Sequence, residues 1–308
     1  MKITLRQSLA LAAALALLAA VPWLGSAYMT GVFTVCLIYA IWAMGWDFFS
    51  GLTGRENFGY PLFIGIGAYA TGYLDANHGI SPWTGLFVAM GMSALLGLAI
   101  GFPTLRLKGP YFALATLAAA AIAQRMLLIL WDITGGEEGI QGLTPLVADT
   151  VRYYYLVLGV ALASGAVLVG LSRSRWGLLL RAIRGDEAGC QAAGINVTFY
   201  KIAALVISAV FAGLGGALYA SYQMQVSPQI VSVLMLVAVV TMVYVGGIGS
   251  VYGAAGGAIV LSLLGEMLRS AGEYRLLVYA LLLIVVIFFL RGGLVAPLWR
   301  RLGGGSAP

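Results

Sequence analysis

Side chains that could do chemistry are scarce in this chain, and their positions narrow what that chemistry could be. Asp47, Arg125 and Glu266 fall within apolar stretches, Arg269 follows Glu266 by three residues, and His78 is the sole histidine. The cysteines are Cys36 and Cys190, and the lysines Lys2, Lys108 and Lys201. A nucleotide-binding P-loop needs glycine followed by lysine, so that backbone amides and an ammonium cradle phosphates together. No lysine here follows a glycine. One histidine and two separated cysteines supply neither a haem or metal cluster nor an iron–sulfur site, and they imply no disulfide framework. A charge at the bilayer centre costs about 2.5–3.5 kcal/mol on insertion scales, so gradient-driven carriers place such charges deliberately. Asp47, Arg125 and Glu266 each lie near enough to the end of a stretch to snorkel, and Glu266 with Arg269 has the spacing of a surface pair. A transporter without a central charge takes its energy from a partner. Asn57, Tyr69, Thr71 and Gln124 are polar groups able to meet a solute, although most such residues in membrane helices bond a neighbouring helix.

The elements that must position these groups are apolar. The chain is 61% hydrophobic and 9% charged, with mean hydropathy +0.98, more apolar surface than a soluble globule can hide. It is read as an all-α, polytopic helical membrane protein. Apolar windows near 8–28, 32–50, 58–75, 83–103, 110–131, 152–171, 200–222, 231–248, 253–268 and 275–291 predict about ten transmembrane or partly broken helices. The first window, preceded by Lys2 and Arg6, is read as a retained span rather than a cleaved signal peptide. Residues 1–302 form one transmembrane domain and 303–308 a flexible tail. The formal charge of +6 comes from bases in short loops that set orientation, so no nucleic-acid role is read. Alternate threading with both termini cytoplasmic puts Arg55, Arg106 with Lys108, the 172–199 loop, and Arg291 with Arg300 and Arg301 inside. It puts Asp75, the 132–150 loop and Glu273 outside.

Two regions crowd glycines: Gly51, Gly54, Gly59, Gly65, Gly67 and Gly72, then Gly246, Gly247, Gly249, Gly253, Gly256 and Gly257. Either they let helices pack closely, or they break helices and expose backbone to a solute path. Both readings stand on the sequence. The second makes Asn57, Tyr60, Gly65, Gly67, Tyr69, Thr71, Gly246, Gly247 and Gly249 candidate path residues.

The longest polar interval, residues 172–199, carries Arg173, Arg175, Arg181 and Arg184 and only two acids, Asp186 and Glu187. Asp186 can cap a helix starting at Glu187, and Gly194 can end it. Ala188, Ala192 and Ala193 give it small apolar contacts suited to a groove on a soluble partner, with Trp176 and Phe199 anchoring its ends at the membrane lipid.

The run from Arg173 to Ala220, RSRWGLLLRAIRGDEAGCQAAGINVTFYKIAALVISAVFAGLGGALYA, resembles the corresponding segment of LivM-type permeases, the membrane subunits of branched-chain amino-acid ABC importers. GIGAYATGYL at 65–74, GPYFALATLA at 109–118, TGGEEGIQGL at 134–143, VYVGGIGSVYGAAGGAIV at 243–260 and FFLRGGL at 288–294 match in the family's order. The resemblance implies a bacterial inner-membrane permease that is not itself an enzyme. Its implied partners are a LivH-like second permease, two cytoplasmic ATP-binding subunits that hold ATP and Mg, and an extracytoplasmic substrate-binding protein. Arg184, Asp186, Glu187, Ala188, Gly194, Ile195 and Asn196 would then form the ATPase-coupling segment. Two departures stand out. Gly189 replaces an alanine of the general coupling pattern, and Asn57–Tyr60 reads NFGY where the family usually reads close to Ser-Leu-Gly-His. The implied cargo is a branched-chain amino acid or a similar small organic solute, since similar permeases serve urea, short amides and aromatic acids. A freestanding channel or secondary transporter is the alternative, and a membrane enzyme or anchor subunit the third reading.

Overall fold

The structure, a computed structural model, describes residues 5–107, 109–268, 281 and 293. Lys2, Lys108, Arg269, Glu273, Arg291, Arg300, Arg301, the 275–291 window, most of the 288–294 match and the 303–308 tail lie outside the described residues.

The chain is a helical bundle. Helix α1 (Leu5–Leu24) leads to α2 (Ala27–Thr53), α3 (Tyr60–His78), α4 (Pro82–Thr104), α5 (Tyr111–Ile129) and the one-turn α6 (Trp131–Thr134). After the two-residue strand β1 (Ile140–Gln141) come α7 (Thr150–Arg173), α8 (Arg175–Gly185), α9 (Glu187–Ala192) and α10 (Val197–Gln223). Strand β2 (Gln225–Val226), a 3-10 turn (Pro228–Val231), α11 (Val233–Gly246) and α12 (Val251–Met267) follow.

Local chemistry fixes the ends. Ser26 caps α2, its hydroxyl accepting from the Met29 amide, so this helix starts five residues before its apolar window and runs 27 residues, about 40 Å. Gly54 closes it in the left-handed conformation at φ +70°.

Helices α2, α3, α4 and α10 form the buried centre. Trp42, Trp46, Phe48, Phe49, Tyr60 and Phe63 are almost wholly enclosed. Trp42 Nε1 donates to the Ala212 carbonyl at 3.2 Å, Ser208 to Gly45 O at 2.7 Å, and Ser93 to Phe63 O at 3.1 Å. These bonds tie helices together where the apolar surroundings would leave a polar group unsatisfied. Outward faces of α4 and α5 stay apolar, with Phe87, Leu95, Leu114, Ile122 and Ile129 exposed, as lipid or a second subunit requires. At the end of the bundle opposite α9, β1 pairs antiparallel with β2, Ile140 opposite Val226, and Asp75 accepts from both the amide and the hydroxyl of Thr144.

Among the described residues, five to six of the about ten predicted crossings meet the length and composition of a membrane span. Five described helices are long and apolar enough to span a membrane: α2, α4, α5, α7 and α10. Helices α11 and α12 make a sixth only as one bent unit, because they turn by 116° at their junction. The bend has a geometric basis. The 14 residues of α11 rise about 21 Å, short of a hydrocarbon core of about 30 Å. Window hydropathy adds up apolar residues but is blind to a corner.

Candidate functional site

A cluster of charged groups, Arg55, Arg184, Glu187 and Lys201, gathers at the α9 end of the bundle. Asp186 turns away from helical geometry at φ −149° and ψ 97°, and its Oδ1 accepts from the Gly189 amide at 2.9 Å, capping α9. The glycine at 189 has a reason here: a Cβ on it would lie 2.4 Å from Asp186 Oδ2. Gly194 leaves α9 at φ +81°, its amide bonding Gln191 O while Ile195 N bonds Cys190 O. Asn196 then caps α10 by accepting from Phe199 N at 3.0 Å. So Gly194, Ile195 and Asn196 form the hinge between a short helix and a membrane helix. No residue of α9 is buried, and Ala188, Ala192 and Ala193 face out.

Glu187, the first residue of α9, is held from behind. Its Oε2 lies 2.9 Å from Arg55 Nη2, and its Oε1 accepts from Lys201 Nζ on the first turn of α10. Lys201 is 2% exposed and Glu187 36%. Desolvation by burial alone would raise the Glu187 carboxyl, but hydrogen bonds from Lys201 and Arg55 and the charges of both bases outweigh it and hold the group below the usual carboxylate range. Arg55 also donates to Leu107 O at 2.7 Å, so one guanidinium joins α9, the α2–α3 connection and the α4–α5 loop.

Beside this hub lies a second set of contacts on the α11–α12 corner. Asp47 is fully buried in α2, its Oδ1 accepting from Gly249 N at 2.6 Å. Arg184, at the end of α8, donates to Gly51 O and lays its stem over Gly54. Tyr244 in α11 donates to Glu56 Oε1 at 2.8 Å. Asp47 therefore does not snorkel, as its place near the end of a span suggested; it fastens the corner to α2. Gly247 at φ +107° and Gly249 at φ +81° supply the backbone that the corner requires.

The path candidates fall on the start of α3, on its middle and on the α11–α12 corner. Asn57 and Tyr60 lie where the α2–α3 connection enters α3. Asn57 O accepts from Trp46 Nε1 and its Oδ1 from Gly59 N, while Asn57 Nδ2 and the Tyr60 hydroxyl find no partner among the described residues. Gly246, Gly247 and Gly249 form the corner beside them. Gly65 packs on Val231, and a Cβ on Gly67 would lie 2.4 Å from Gly213 Cα and O, where α3 and α10 meet backbone to backbone. Thr71 bonds Gly67 O and, across to α4, Gly85 O. The buried Tyr69 hydroxyl has no partner among the described residues. None of these residues borders the cavity of about 420 Å³ among α2, α10, α11 and α12.

Sequence reasoning missed the hub. Arg55 reads only as an orientation charge, and Lys201 only as a lysine outside any P-loop. The available signal was Lys201 itself, a lysine four residues into an apolar span and 14 after Glu187.

Apolar crossing helices, a bent pair pinned by buried polar contacts and an exposed short helix tied to them by charge define a membrane transport subunit. Comparison with known proteins agrees. Residues 28–289 match the family described as branched-chain amino acid transport system / permease component. The chain is 33% identical to the high-affinity branched-chain amino acid transport system permease protein LivM of Escherichia coli K12, over 99% of this chain and 79% of that protein. LivM of Salmonella typhimurium is 32% identical, over 96% and 76%. The fructose import permease protein FrcC of Rhizobium meliloti is 26% identical, over 77% and 70%. The chain belongs to the LivM-type branched-chain amino-acid permease family. It is the multi-pass permease subunit of an ABC importer in the bacterial inner membrane, a transport component rather than an enzyme. Such a subunit works with a partner permease, ATPases and a binding protein.

Proposed function

We propose that the chain pairs with a LivH-like permease to carry branched-chain amino acids inward, with α9 as the coupling helix seated on one of two cytoplasmic ATP-binding subunits. ATP and Mg reside on those subunits, the α9 end of the bundle faces the cytoplasm, and an extracytoplasmic binding protein delivers the substrate at the other end. The observation that carries the reading is the double ion pair of Glu187: the exposed α9 is joined through one side chain to Arg55 and Lys201.

The mechanics follow from the contacts. Closure of the ATPases displaces α9. Glu187 passes the motion to the α2–α3 connection and to α10, and Arg184 passes it to the end of α2 at Gly51. The corner contacts Asp47–Gly249 and Glu56–Tyr244 then exchange, and Asn57, Tyr60 and the corner glycines open toward the cytoplasm. Buried groups left without partners favour that exchange. Among the described residues, Asp47 Oδ2, Asn57 Nδ2 and the Tyr60 hydroxyl find no partner, each costing about 1–3 kcal/mol, which narrows the gap to a rearranged state.

The test is the complete importer in proteoliposomes. Gly194→Val, at a φ that a branched side chain resists, should leave the complex assembled and able to hydrolyse ATP while leucine uptake falls at least tenfold. Normal coupled uptake by this variant, or uptake by this chain alone, overturns the reading.

A further inference from the structure

Three arginines that make no contact with α9 meet at the α7–α8 turn. Arg173 ends α7 and Arg175 begins α8, on either side of Ser174, whose hydroxyl accepts from the Trp176 amide at 3.2 Å and donates to Leu171 O at 2.7 Å. Arg181, further along α8, reaches back to donate to Ser172 O at 2.8 Å. A Cβ on Gly177 would lie 2.0 Å from that same oxygen, so glycine lets α8 fold tightly against the end of α7 and brings the three arginines to one turn. All three are exposed, and none bonds an acid among the described residues. The acids next in sequence, Asp186 and Glu187, lie past the far end of α8, about 16 Å along its axis from Arg175.

Beside the arginines lies an aromatic patch. Ring centroids of Trp176 and Tyr200 stand 5.1 Å apart, those of Trp176 and Phe199 6.0 Å and those of Phe199 and Tyr200 5.6 Å, so the starts of α8 and α10 share one cluster of three rings. Water would meet much of it: Phe199 is 55% exposed and Leu178, on the next positions of α8, 60%. Both α7 and α10 are long and apolar enough to span a membrane. The patch therefore stands where their ends leave the hydrocarbon, the depth at which tryptophan, tyrosine and arginine meet lipid headgroups.

We infer that this patch is a binding site for an anionic phospholipid of the leaflet on the α9 side, its phosphate held by Arg173, Arg175 and Arg181 and its upper acyl chains by Trp176, Leu178 and Phe199. The chemistry selects the ligand. Guanidinium groups pair bidentately with phosphate, unpaired bases at a membrane surface draw anionic headgroups, and exposed rings beside an exposed leucine bury themselves in the acyl boundary. A zwitterionic lipid brings its own ammonium, which three arginines repel. The site also frames α9. Asp186 ends α8 and caps α9, while Phe199 and Tyr200 precede Lys201, which holds Glu187. Bound lipid fixes both flanks of the short helix, so uptake per ATP hydrolysed rises with anionic lipid. Lipid binding rests on the bundle crossing a membrane; the effect on uptake rests on the coupling reading of α9.

The experiment places the complete importer in nanodiscs and proteoliposomes of phosphatidylcholine, with and without phosphatidylglycerol. Native mass spectrometry of the wild-type complex should show phosphatidylglycerol retained in preference to phosphatidylcholine. Arg173→Gln with Arg175→Gln should cut that preference at least threefold, and Arg173→Lys with Arg175→Lys should keep most of it. Leucine uptake per ATP hydrolysed should rise at least threefold with phosphatidylglycerol in the wild type and stay flat in the glutamine variant. No lipid preference in the wild-type complex overturns the site whether or not the variants assemble, and so does an undiminished preference in an assembled glutamine variant. Preference lost with the lipid response of uptake unchanged overturns the effect on coupling. A wild-type complex that retains the lipid but takes up no leucine in either membrane overturns the importer reading and leaves the site standing.

Discussion

Arg55 Nη2 and Glu187 Oε2 stand 2.9 Å apart although 132 residues separate them, and the same carboxylate takes the Lys201 ammonium. A short surface helix is thereby joined to two membrane helices through one side chain. Because Lys201 is almost wholly buried, removing its acid leaves a cation with no water to solvate it.

Glu187→Gln should therefore destabilise the purified chain by about 1–3 kcal/mol, read as a lower unfolding midpoint in detergent. Adding Lys201→Met to that variant should recover most of the loss. A double variant as weak as the single one would show that the ammonium is not what suffers.

The pH dependence of this pair has a defined sign. The Glu187 carboxyl sits below its ordinary 4.5 in the folded chain. Its contribution to stability is complete above that value and is lost as pH falls through the lower folded one. Melting in mild detergent should show no loss from this group between pH 7 and 5, and a decline below about 4.5 that Glu187→Gln reduces. A wild-type decline already present at pH 6 and absent in the variant would contradict the assignment.

Gly67 should resist even alanine. The added Cβ would meet the Gly213 backbone at 2.4 Å, and overpacking of this kind costs about 1–3 kcal/mol. Gly159→Ala, with open space around it, should be neutral or gain up to about 1 kcal/mol from helix propensity. Thermal melts of the two variants side by side decide the matter; equal midpoints would mean that α3 and α10 can move apart at no cost.

Asp47→Ala strands the Gly249 amide that now fastens the α11–α12 corner to α2. The expected result in the assembled importer is ATP hydrolysis that no longer depends on the binding protein, with leucine uptake reduced at least fivefold. Tight coupling in this variant would remove Asp47 from the closure.

Short-range chemistry was legible in the sequence. Asp186 as a cap, Glu187 as the start of a helix and Gly194 as its end could all be read because capping acts over three or four residues. The exposed alanines of α9 followed from the same stretch. What could not be read was long-range or shape-dependent. An apolar run does not announce a 116° corner, so two windows counted as spans where one bent unit stands. Nor does a charge near the end of a span reveal whether it stays on the outside of the bundle, as the exposed Arg125 does, or turns inward like Asp47. The glycines served both readings at once: Gly67 for close packing, Gly247 and Gly249 for a break.

One helix, α2, borders the open cavity along its first half and carries Asp47, Gly51 and Gly54 on its second. A helix that borders both regions couples them: whatever shifts the second half of α2 is felt along the wall of the cavity, and anything that binds in the cavity acts back on that shift with equal free energy.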